Sequence, residues 1–427
     1  MGDTCTVKGV VAQSFTMHAN KTWVLEGTVL IGKGNASLNT PAAIADAKNQ
    51  GVTLTVEAGV NVKAQDGSVL IITRGSKLNA IGTKDKPITF SSADEGFDGL
   101  GEWKGLVIQG FAPVYGLGGT GLCHKDGALC NLKGEGGDEV GFFGGDNKAD
   151  NSGELKYVRI TETGFAFAKD KEVNGLTLMG VGHGTSLEYI QVHNSGDDGI
   201  EWFGGTVNLK HAVLTNVDDD DIDFDMGYKG NIQHVLARKN PTALTPSGTN
   251  DPRGIEANSS DAEYVPETDA VLANLTLIGS TLSNKEPGMR LRGAVKTNIV
   301  NTAVSAFKTC VQVDKVTLAD SSIYGMSKFT NLLGACDGAA LTDKTAGAGI
   351  TKDASFIDLG AGVLLSFNDI WAVTNSQAKL ASAISSITPI NNGSGFEFEM
   401  TDYIGAVDPM ATTAWWAGWT IPNSLKK

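Results

Sequence analysis

A pattern of apolar and acidic positions repeats every 22 residues in the middle of the chain. Residues 186–205 read SLEYIQVHNSGDDGIEWFGG, and residues 208–227 read NLKHAVLTNVDDDDIDFDMG. In both copies apolar residues fall at positions i, i+3 and i+5, and an acidic turn follows them. A repeat this short cannot bury its own apolar face, so successive copies must stack on one another.

The segments between the turns are short and rich in Val, Ile, Tyr and Thr, which favours strands over helices. The same apolar spacing begins again at Leu155, Ile232 and Leu272, and a second short strand follows each acidic turn, as in 199–202 and 221–224. Such rungs predict a parallel β-solenoid, an all-β fold. A β-sandwich is the alternative for a chain with 54 glycines, but it does not require matched residues to return at a fixed register.

A solenoid grows by adding rungs, so we predict one domain over residues 1–427. The predicted parts of this domain are an N-terminal cap (1–22), main rungs (23–324) with a Gly-rich loop excursion (111–153), and irregular C-terminal rungs (325–427). Within the C-terminal part we predict a helix (374–384) and an aromatic segment (415–419) that covers the last rung. No run of about 18 apolar residues predicts a transmembrane segment. The first residues lack the features of a signal peptide, and we expect a chain that begins just after a removed signal.

The charge of the chain excludes some classes of partner. The formal net charge is −14 and the sequence pI is near 4.9, which argues against binding to nucleic acid or to an anionic membrane. Among five cysteines, the pairs Cys123/Cys130 and Cys310/Cys336 are predicted disulfides of an exported protein. Cys5 remains as an unpaired thiol or a lipid attachment site.

Acidic residues follow the repeat. Alternate residues of a strand face opposite sides, so if Ile200 points into the core, its neighbour Glu201 points outward. The outward column in successive second strands is predicted to contain Thr177, Glu201, Asp223, Glu256 and Arg290, and a parallel column contains Met179, Phe203, Asp225, Asn258 and Arg292. Like charges on strands about 4.8 Å apart repel each other unless something neutralises them.

Three devices would neutralise these acids: a hard cation, a flanking arginine, or a carboxyl group that stays protonated. The predicted Ca²⁺ ligands are Asp197, Asp198, Asp219, Asp220, Asp221 and Asp223. The predicted ligand-binding residues are Glu256, Trp202 and Asp225. If the protein is an enzyme, the predicted catalytic residues are Glu201, Asp223, Arg290 and Arg292. The alternative for the turn acids is a structural one, in which they accept hydrogen bonds from backbone N–H groups.

Several segments resemble a family of exported bacterial surface proteins and lipoproteins. They are 70–92, 101–110 (GEWKGLVIQG), 152–160, 173–211 and 415–420 (WWAGWT). The resemblance implies a right-handed parallel β-helix of the pectin-lyase-like type, and export to the extracellular side or the outer cell surface. In the similar lyases, Ca²⁺ neutralises the carboxylate of a uronate and a basic side chain abstracts a proton. The resemblance therefore implies that Asp198, Asp220, Asp223 and Glu201 bind the metal. It also implies that Arg290 or Arg292 is the base. In the similar hydrolases three Asp residues act, with Asp197, Asp198 and Asp220 as the nearest counterparts.

These observations lead to one expected function and two alternatives. We expect an exported β-helix protein that binds Ca²⁺ along its acidic face and binds an extracellular polysaccharide or another surface component. The first alternative is a polysaccharide lyase or glycoside hydrolase that acts in the acidic groove. The second is a structural adhesin or filament subunit, in which self-association replaces catalysis.

Overall fold

Parallel strands stacked in successive rungs form one hydrogen-bonded sheet of 24 strands. The computed structural model describes residues 3–115, 129–165, 173–241, 251–259, 265–280, 286–314, 327–338, 341–343, 357–358, 365–366, 371–373 and 387–425. The first strands are β1 (Thr4–Val11), β2 (Phe15–Met17), β3 (Thr22–Ile31), β4 (Thr53–Val56), β5 (Asn61–Ala64), β6 (Val69–Ile72), β7 (Lys77–Ile81), β8 (Ile88–Ser92) and β9 (Gly105–Gln109). Because β1 pairs with β3 and β2 pairs with β4, the predicted N-terminal cap contains strands of the same sheet.

The central and C-terminal rungs contain the repeat found in the sequence. Their strands are β12 (Gly153–Thr163), β13 (Leu176–Met179), β14 (Ser186–Ser195), β15 (Ile200–Phe203), β16 (Asn208–Thr215), β17 (Ile222–Asp225), β18 (Asn231–Arg238), β19 (Ile255–Ser259), β20 (Asp269–Ile278), β21 (Pro287–Gly293), β22 (Lys296–Ser305), β23 (Thr309–Val313), β24 (Lys328–Ala335), β25 (Leu341–Asp343) and β26 (Ile357–Asp358). Even-numbered strands pair with even-numbered ones and odd with odd, all in parallel. The right-handed parallel β-helix predicted from the sequence is confirmed.

A left-handed residue in each long strand explains the i, i+3, i+5 spacing. Tyr157, Tyr189, His211 and His234 have φ angles of 50°, 55°, 62° and 59° and lie at matching positions of successive rungs. Such a residue interrupts the strict alternation of the strand, so that apolar residues on both sides of it point inward. In β14, Leu187, Ile190 and Val192 therefore all join the buried core.

The Gly-rich segment and the one described helix pack against the solenoid. Strands β10 (Leu132–Lys133) and β11 (Phe142–Phe143) form a hairpin inside the predicted loop excursion, and Phe143 packs against the outer face of β6. The helix α1 (Pro41–Asn49) was not predicted, although Thr40 caps it by accepting the Ala43 N–H at 3.1 Å and Pro41 occupies its first turn. The helix predicted at 374–384 lies outside the described residues. No helix within the described ranges has the length and apolar character of a membrane span.

The C-terminal segment lies in a different place from the one predicted. Residues 387–425 run along the flank of the solenoid, where the Trp419 indole packs edge-on against Tyr157 and Tyr189 and the Ile421 N–H donates to Gln191. The expectation that the aromatic tail covers the last rung is wrong, because the flank of the middle rungs presents a matching column of stacked rings. Before this tail, β27 (Leu365–Ser366) and β28 (Ala372–Val373) pair as two short antiparallel strands.

The cysteine predictions have different outcomes. Cys310 and Cys336 form a disulfide, as predicted. Cys5 is a free cysteine in the structure. The other predicted pair includes Cys123, which lies outside the described residues, so that pairing stays a prediction.

Candidate functional site

The predicted outward column of acids is present in the structure. Thr177 of β13, Glu201 of β15, Asp223 of β17, Glu256 of β19 and Arg290 of β21 are partners in register on neighbouring parallel strands. The repeated strand pattern sets this alignment, because each rung places the residue after its inward leucine, isoleucine or methionine in the same column, whatever the length of the loop between rungs. The alignment brings carboxylates together that are separated by one or two turns of the solenoid.

The turn acids preceding these strands connect one rung to the next. The Asp220 N–H donates to Asp198 Oδ1 at 2.9 Å, and the Arg253 N–H donates to Asp220 Oδ1 at 3.1 Å. The structural alternative for these acids is therefore confirmed for one oxygen of each. The second oxygen of Asp220 accepts from the Arg253 guanidinium at 3.4 Å, whereas Asp198 also supplies an oxygen to two groups of carboxylates, so a capping role and a binding role are compatible at Asp198.

One half of the column is neutralised by arginines. Buried Arg253 donates to Glu256 Oε2 at 2.7 Å and lies 3.4 Å from Asp220 Oδ2, while Arg292 donates to Glu256 Oε1 at 2.6 Å. Arg290 lies 3.6 Å from Glu256 and 2.6 Å from Asp314. Glu256 is thus surrounded by three guanidinium groups, and it is a structural counter-charge in this arrangement.

These ion pairs bear on the predicted catalytic role of the arginines. Burial by itself lowers the pKa of Arg292, but the Glu256 carboxylate outweighs it and raises that pKa above its ordinary value. A general base needs a pKa near the working pH, so the environment acts against proton abstraction by Arg292. Arg290 is held by two carboxylates at once.

The other half of the column has a surplus of negative charge. One carboxylate oxygen from each of Asp198, Glu201 and Asp223 lies within 4.8 Å of the others. Asp198 is 6% exposed and Glu201 is 8% exposed, and no lysine or arginine of the described residues lies within 4.0 Å of any of the three carboxylates. Burial raises the pKa of each group well above its usual range, and the neighbouring carboxylates raise it further.

Few hydrogen bonds compensate for this burial. Asn174 Nδ2 donates to Glu201 Oε2 at 2.5 Å, and Asp223 Oδ1 is buried without a hydrogen-bond partner. A second group shares Asp198, since one oxygen each of Asp197, Asp198 and Asp219 also lies within 4.8 Å. We call Asp197, Asp198, Glu201, Asp219 and Asp223 the acidic site.

Two further acids border the acidic site. Burial and the nearby charges of Glu135 and Glu256 raise the pKa of Asp225 to about 8. The Glu135 charge also raises the pKa of Glu201. Glu135 belongs to the Gly-rich segment 111–153, and sequence reasoning missed it because that segment lies outside the repeat and no register connects it with the column.

Trp202 and the predicted metal ligands Asp220 and Asp221 also lie outside the acidic site, and both carboxylate oxygens of Asp220 accept hydrogen bonds from Arg253. Trp202 is fully buried in the core with its ring 5.5 Å from that of Tyr228, so it cannot stack on a sugar. A signal for this was present, because Trp202 lies two residues after inward-facing Ile200 and must point the same way. Asp221 is fully buried 3.3 Å from Lys239 Nζ, and burial raises its pKa to about 7. It pairs with lysine and lies in neither acidic group.

A family model supports the β-helix fold of the chain. The family model described as a pectate-lyase-like beta helix domain matches residues 45–420. The comparison with curated proteins finds no match. Among solved structures, the chain is similar to PfbA, a surface adhesin of Streptococcus pneumoniae, with 8% identity over 81% of this chain and 85% of that chain and a TM-score of 0.18. At this TM-score the likeness to the adhesin carries no argument about function.

Proposed function

The chain belongs to the family of pectate-lyase-like β-helix domains, and we propose that it is an extracellular or cell-surface member that binds Ca²⁺ at the acidic site. The bound ion then holds an extracellular polysaccharide or another surface component against the solenoid. The disulfide between Cys310 and Cys336 supports an oxidising location. The observation that carries the proposal is the convergence of buried Asp198 and Glu201 with half-buried Asp223, three carboxylates that have no lysine or arginine partner among the described residues.

Mutual repulsion among the three carboxylates favours the binding of a cation. Two unit charges 4.8 Å apart interact by about 3.5 kcal/mol at an effective dielectric constant of about 20. Asp198, Glu201 and Asp223 form three such pairs when all are ionised. A divalent cation at their centre replaces this repulsion by attraction, and it also provides a partner for the orphaned Asp223 Oδ1.

The donor set favours calcium among the common ions. Both groups of the acidic site contain carboxylates alone, whereas zinc favours nitrogen and sulfur ligands. Ca²⁺ accepts six to eight oxygens in a flexible geometry, and a set of three carboxylates leaves coordination positions for water or for oxygens of a ligand. Those positions are where we propose that a polysaccharide carboxylate or hydroxyl binds.

One alternative has support from a specific feature of the site. A carboxyl group with a raised pKa beside a second carboxylate is the arrangement that retaining glycoside hydrolases use, with the two groups about 5–5.5 Å apart. Glu201 and Asp223 fit this description, with oxygens within 4.8 Å. A lyase that uses Arg292 as its base has less support, because Glu256 stabilises the charged form of that arginine.

Thermal unfolding with EDTA, CaCl₂ and MgCl₂ tests the proposal. Binding to the folded state raises stability by about 2.7 kcal/mol when the ion is at 100 times its dissociation constant. We expect a calcium-dependent rise in Tm that disappears in a Glu201→Gln, Asp223→Asn double variant. Glu26→Gln is the matched control, since Glu26 is an exposed acid on β3 paired with Lys8 at 3.4 Å.

The second measurement concerns the partner. Calcium-dependent retention of the protein on an anionic polysaccharide column, lost in the double variant, would support the proposed binding. If neither Tm nor metal content responds to calcium, the metal proposal is wrong. Release of reducing sugars from a glycan without metal, abolished by Glu201→Gln, would then favour the hydrolase.

A further inference from the structure

A second concave site lies on the flank of the solenoid and shares no residue with the acidic site. It is a cleft of about 570 Å³, within the usual range of small-molecule pockets. The segment 96–98 forms one wall of the cleft, and the tail segment 421–424 forms the opposite wall. The C-terminal ends of β14, β16 and β18 form the floor, which includes His193 and Arg238. The cleft thus exists only because the C-terminal tail folds back along the solenoid.

Among the described residues, Arg238 is the one lysine or arginine that lines this cleft. The residue is 3% exposed, and its guanidinium lies over the Trp371 ring, 4.8 Å from the ring centroid. Within the described part of the chain, the guanidinium has no hydrogen bond to another side chain or carbonyl and no carboxylate within 4.0 Å. Burial of a charge without a partner is costly, and burial lowers the pKa of Arg238.

Arg253 shows what a structural arginine looks like in this protein. It is also 3% exposed, and it forms ion pairs with Asp220, Asp251 and Glu256. Arg238 lacks such partners although the chain carries a net charge of −14. A buried, unpaired guanidinium at the floor of a cleft therefore points to a ligand that supplies the negative charge.

The other lining groups limit the charge of that ligand. Burial lowers the pKa of His193 to about 4, so the imidazole is neutral at pH 7, and its Nδ1 lies 2.7 Å from Thr215 Oγ1. Asn216 Nδ2 donates to Asn194 Oδ1 at 3.1 Å, which fixes two amides in the cleft wall. Asp98 adds an exposed carboxylate at the rim. One cation at the floor and one acid at the rim favour a ligand with a single negative charge.

We propose that this cleft binds a small organic molecule that carries one carboxylate group, which pairs with Arg238. The planar guanidinium presents parallel N–H donors that match the two oxygens of a carboxylate. Stacking on Trp371 restricts the plane of the guanidinium, so less side-chain entropy is lost when the ion pair forms. Beside Arg238, the cleft is lined by the amides of Asn194 and Asn216 and the hydroxyl of Ser424. These groups can form hydrogen bonds with hydroxyl groups of the ligand. Sulfate and phosphate carry a second negative charge, and repulsion by the Asp98 carboxylate should weaken their binding.

Isothermal titration at low ionic strength with gluconate, gluconamide and sulfate tests the proposal. Gluconate and gluconamide differ in charge but have nearly the same shape. We expect saturable binding of gluconate, at least tenfold weaker binding of gluconamide, and sulfate weaker than gluconate. The proposal is overturned if gluconate does not bind up to 50 mM, a concentration of about the order at which a single ion pair is detectable, or if gluconamide or sulfate binds as well as gluconate.

Variants identify the group that is responsible. Arg238→Gln should weaken gluconate binding at least tenfold, whereas Arg159→Gln, which changes a half-buried arginine bonded to Thr89 on another rung, should leave it unchanged. If Arg238→Gln fails to fold, Asp98→Asn decides the question. Asp98 is exposed, and loss of its charge should tighten gluconate binding about two- to fivefold at low salt. Unchanged affinity in Asp98→Asn, or in a folded Arg238→Gln variant, would contradict the assignment.

Discussion

Replacement of Glu201 by glutamine should stabilise the protein in the absence of metal, and the gain should grow with pH. Glu201 is 8% exposed, with carboxylate oxygens of Asp198 and Asp223 within 4.8 Å. These surroundings raise its pKa well above the ordinary value, so the folded protein holds a proton that the unfolded chain releases. Glutamine has the same shape without the charge, and its side-chain oxygen can still accept from Asn174.

The magnitude follows from proton linkage. A glutamate with an unfolded-state pKa of about 4.3 that stays protonated in the folded state costs about 1.36 kcal/mol for each pH unit above 4.3. The cost is zero below pH 4, about 2 kcal/mol at pH 6 and about 5 kcal/mol at pH 8, as long as the folded pKa exceeds the pH. Stability of the wild-type protein is therefore lost as pH rises toward the folded pKa, and Glu201→Gln should recover most of that loss.

Urea unfolding in EDTA at pH 4.5, 6 and 8 measures this effect. We expect the wild-type and variant free energies of unfolding to agree within about 1 kcal/mol at pH 4.5 and to diverge by several kcal/mol at pH 8. Glu26→Gln should change stability by less than about 1 kcal/mol at every pH, because Glu26 is exposed. A Glu201→Gln variant that is less stable than wild type by the same amount at every pH would refute the reasoning, since the carboxylate would then contribute favourable bonds.

Three other predictions concern charge, covalent structure and pH. Arg253→Gln should destabilise the protein by about 3–5 kcal/mol in urea at pH 7, because it leaves Glu256 buried with a weaker set of partners; a loss below 1 kcal/mol would contradict the role of this ion pair. Cys336→Ser should lower the free energy of unfolding by about 3.5 kcal/mol, since the bond to Cys310 spans 26 residues, and dithiothreitol should destabilise the wild type more than the variant. Burial lowers the pKa of His211 to about 3, so on acidification from pH 7 to pH 5 the contribution of His211 alone should destabilise the folded state by about 2 kcal/mol, because only the unfolded chain takes up the proton. His211→Phe should lose about 2 kcal/mol less over that range, and an identical pH profile would show that His211 is not the group responsible.

The sequence was informative wherever the repeat sets the register. The 22-residue spacing predicted the parallel β-helix and the stacking of Asp223 on Glu201, and the recurrence of the short second strand at a longer spacing placed Glu256 next in the same column. Alternation along the strand also places Trp202, two residues after inward-facing Ile200, in the core, which excludes the predicted role in ligand binding. Thr40 followed by Pro41 is a sequence signal for the start of α1.

The repeat could not predict which carboxylates of the column are neutralised by arginine and which are not. The sequence treats Glu201 and Glu256 as equivalent members of one column, yet Glu256 contacts three arginines and Glu201 accepts a hydrogen bond from Asn174. The difference depends on side chains that reach across turns, above all Arg253, and on Glu135 from the segment outside the repeat.

The sequence by itself thus determined the rungs, their register and the face on which the acids lie, because stacking of short apolar repeats permits few other arrangements. The tertiary structure alone decided which acids are paired, which remain in excess, and where the tail lies. The reason is physical: burial and Coulomb interactions depend on distances between atoms, and the residues that set them are far apart in the chain. The cleft above Arg238 is the clearest case, since one wall comes from 96–98 and the other from 421–424.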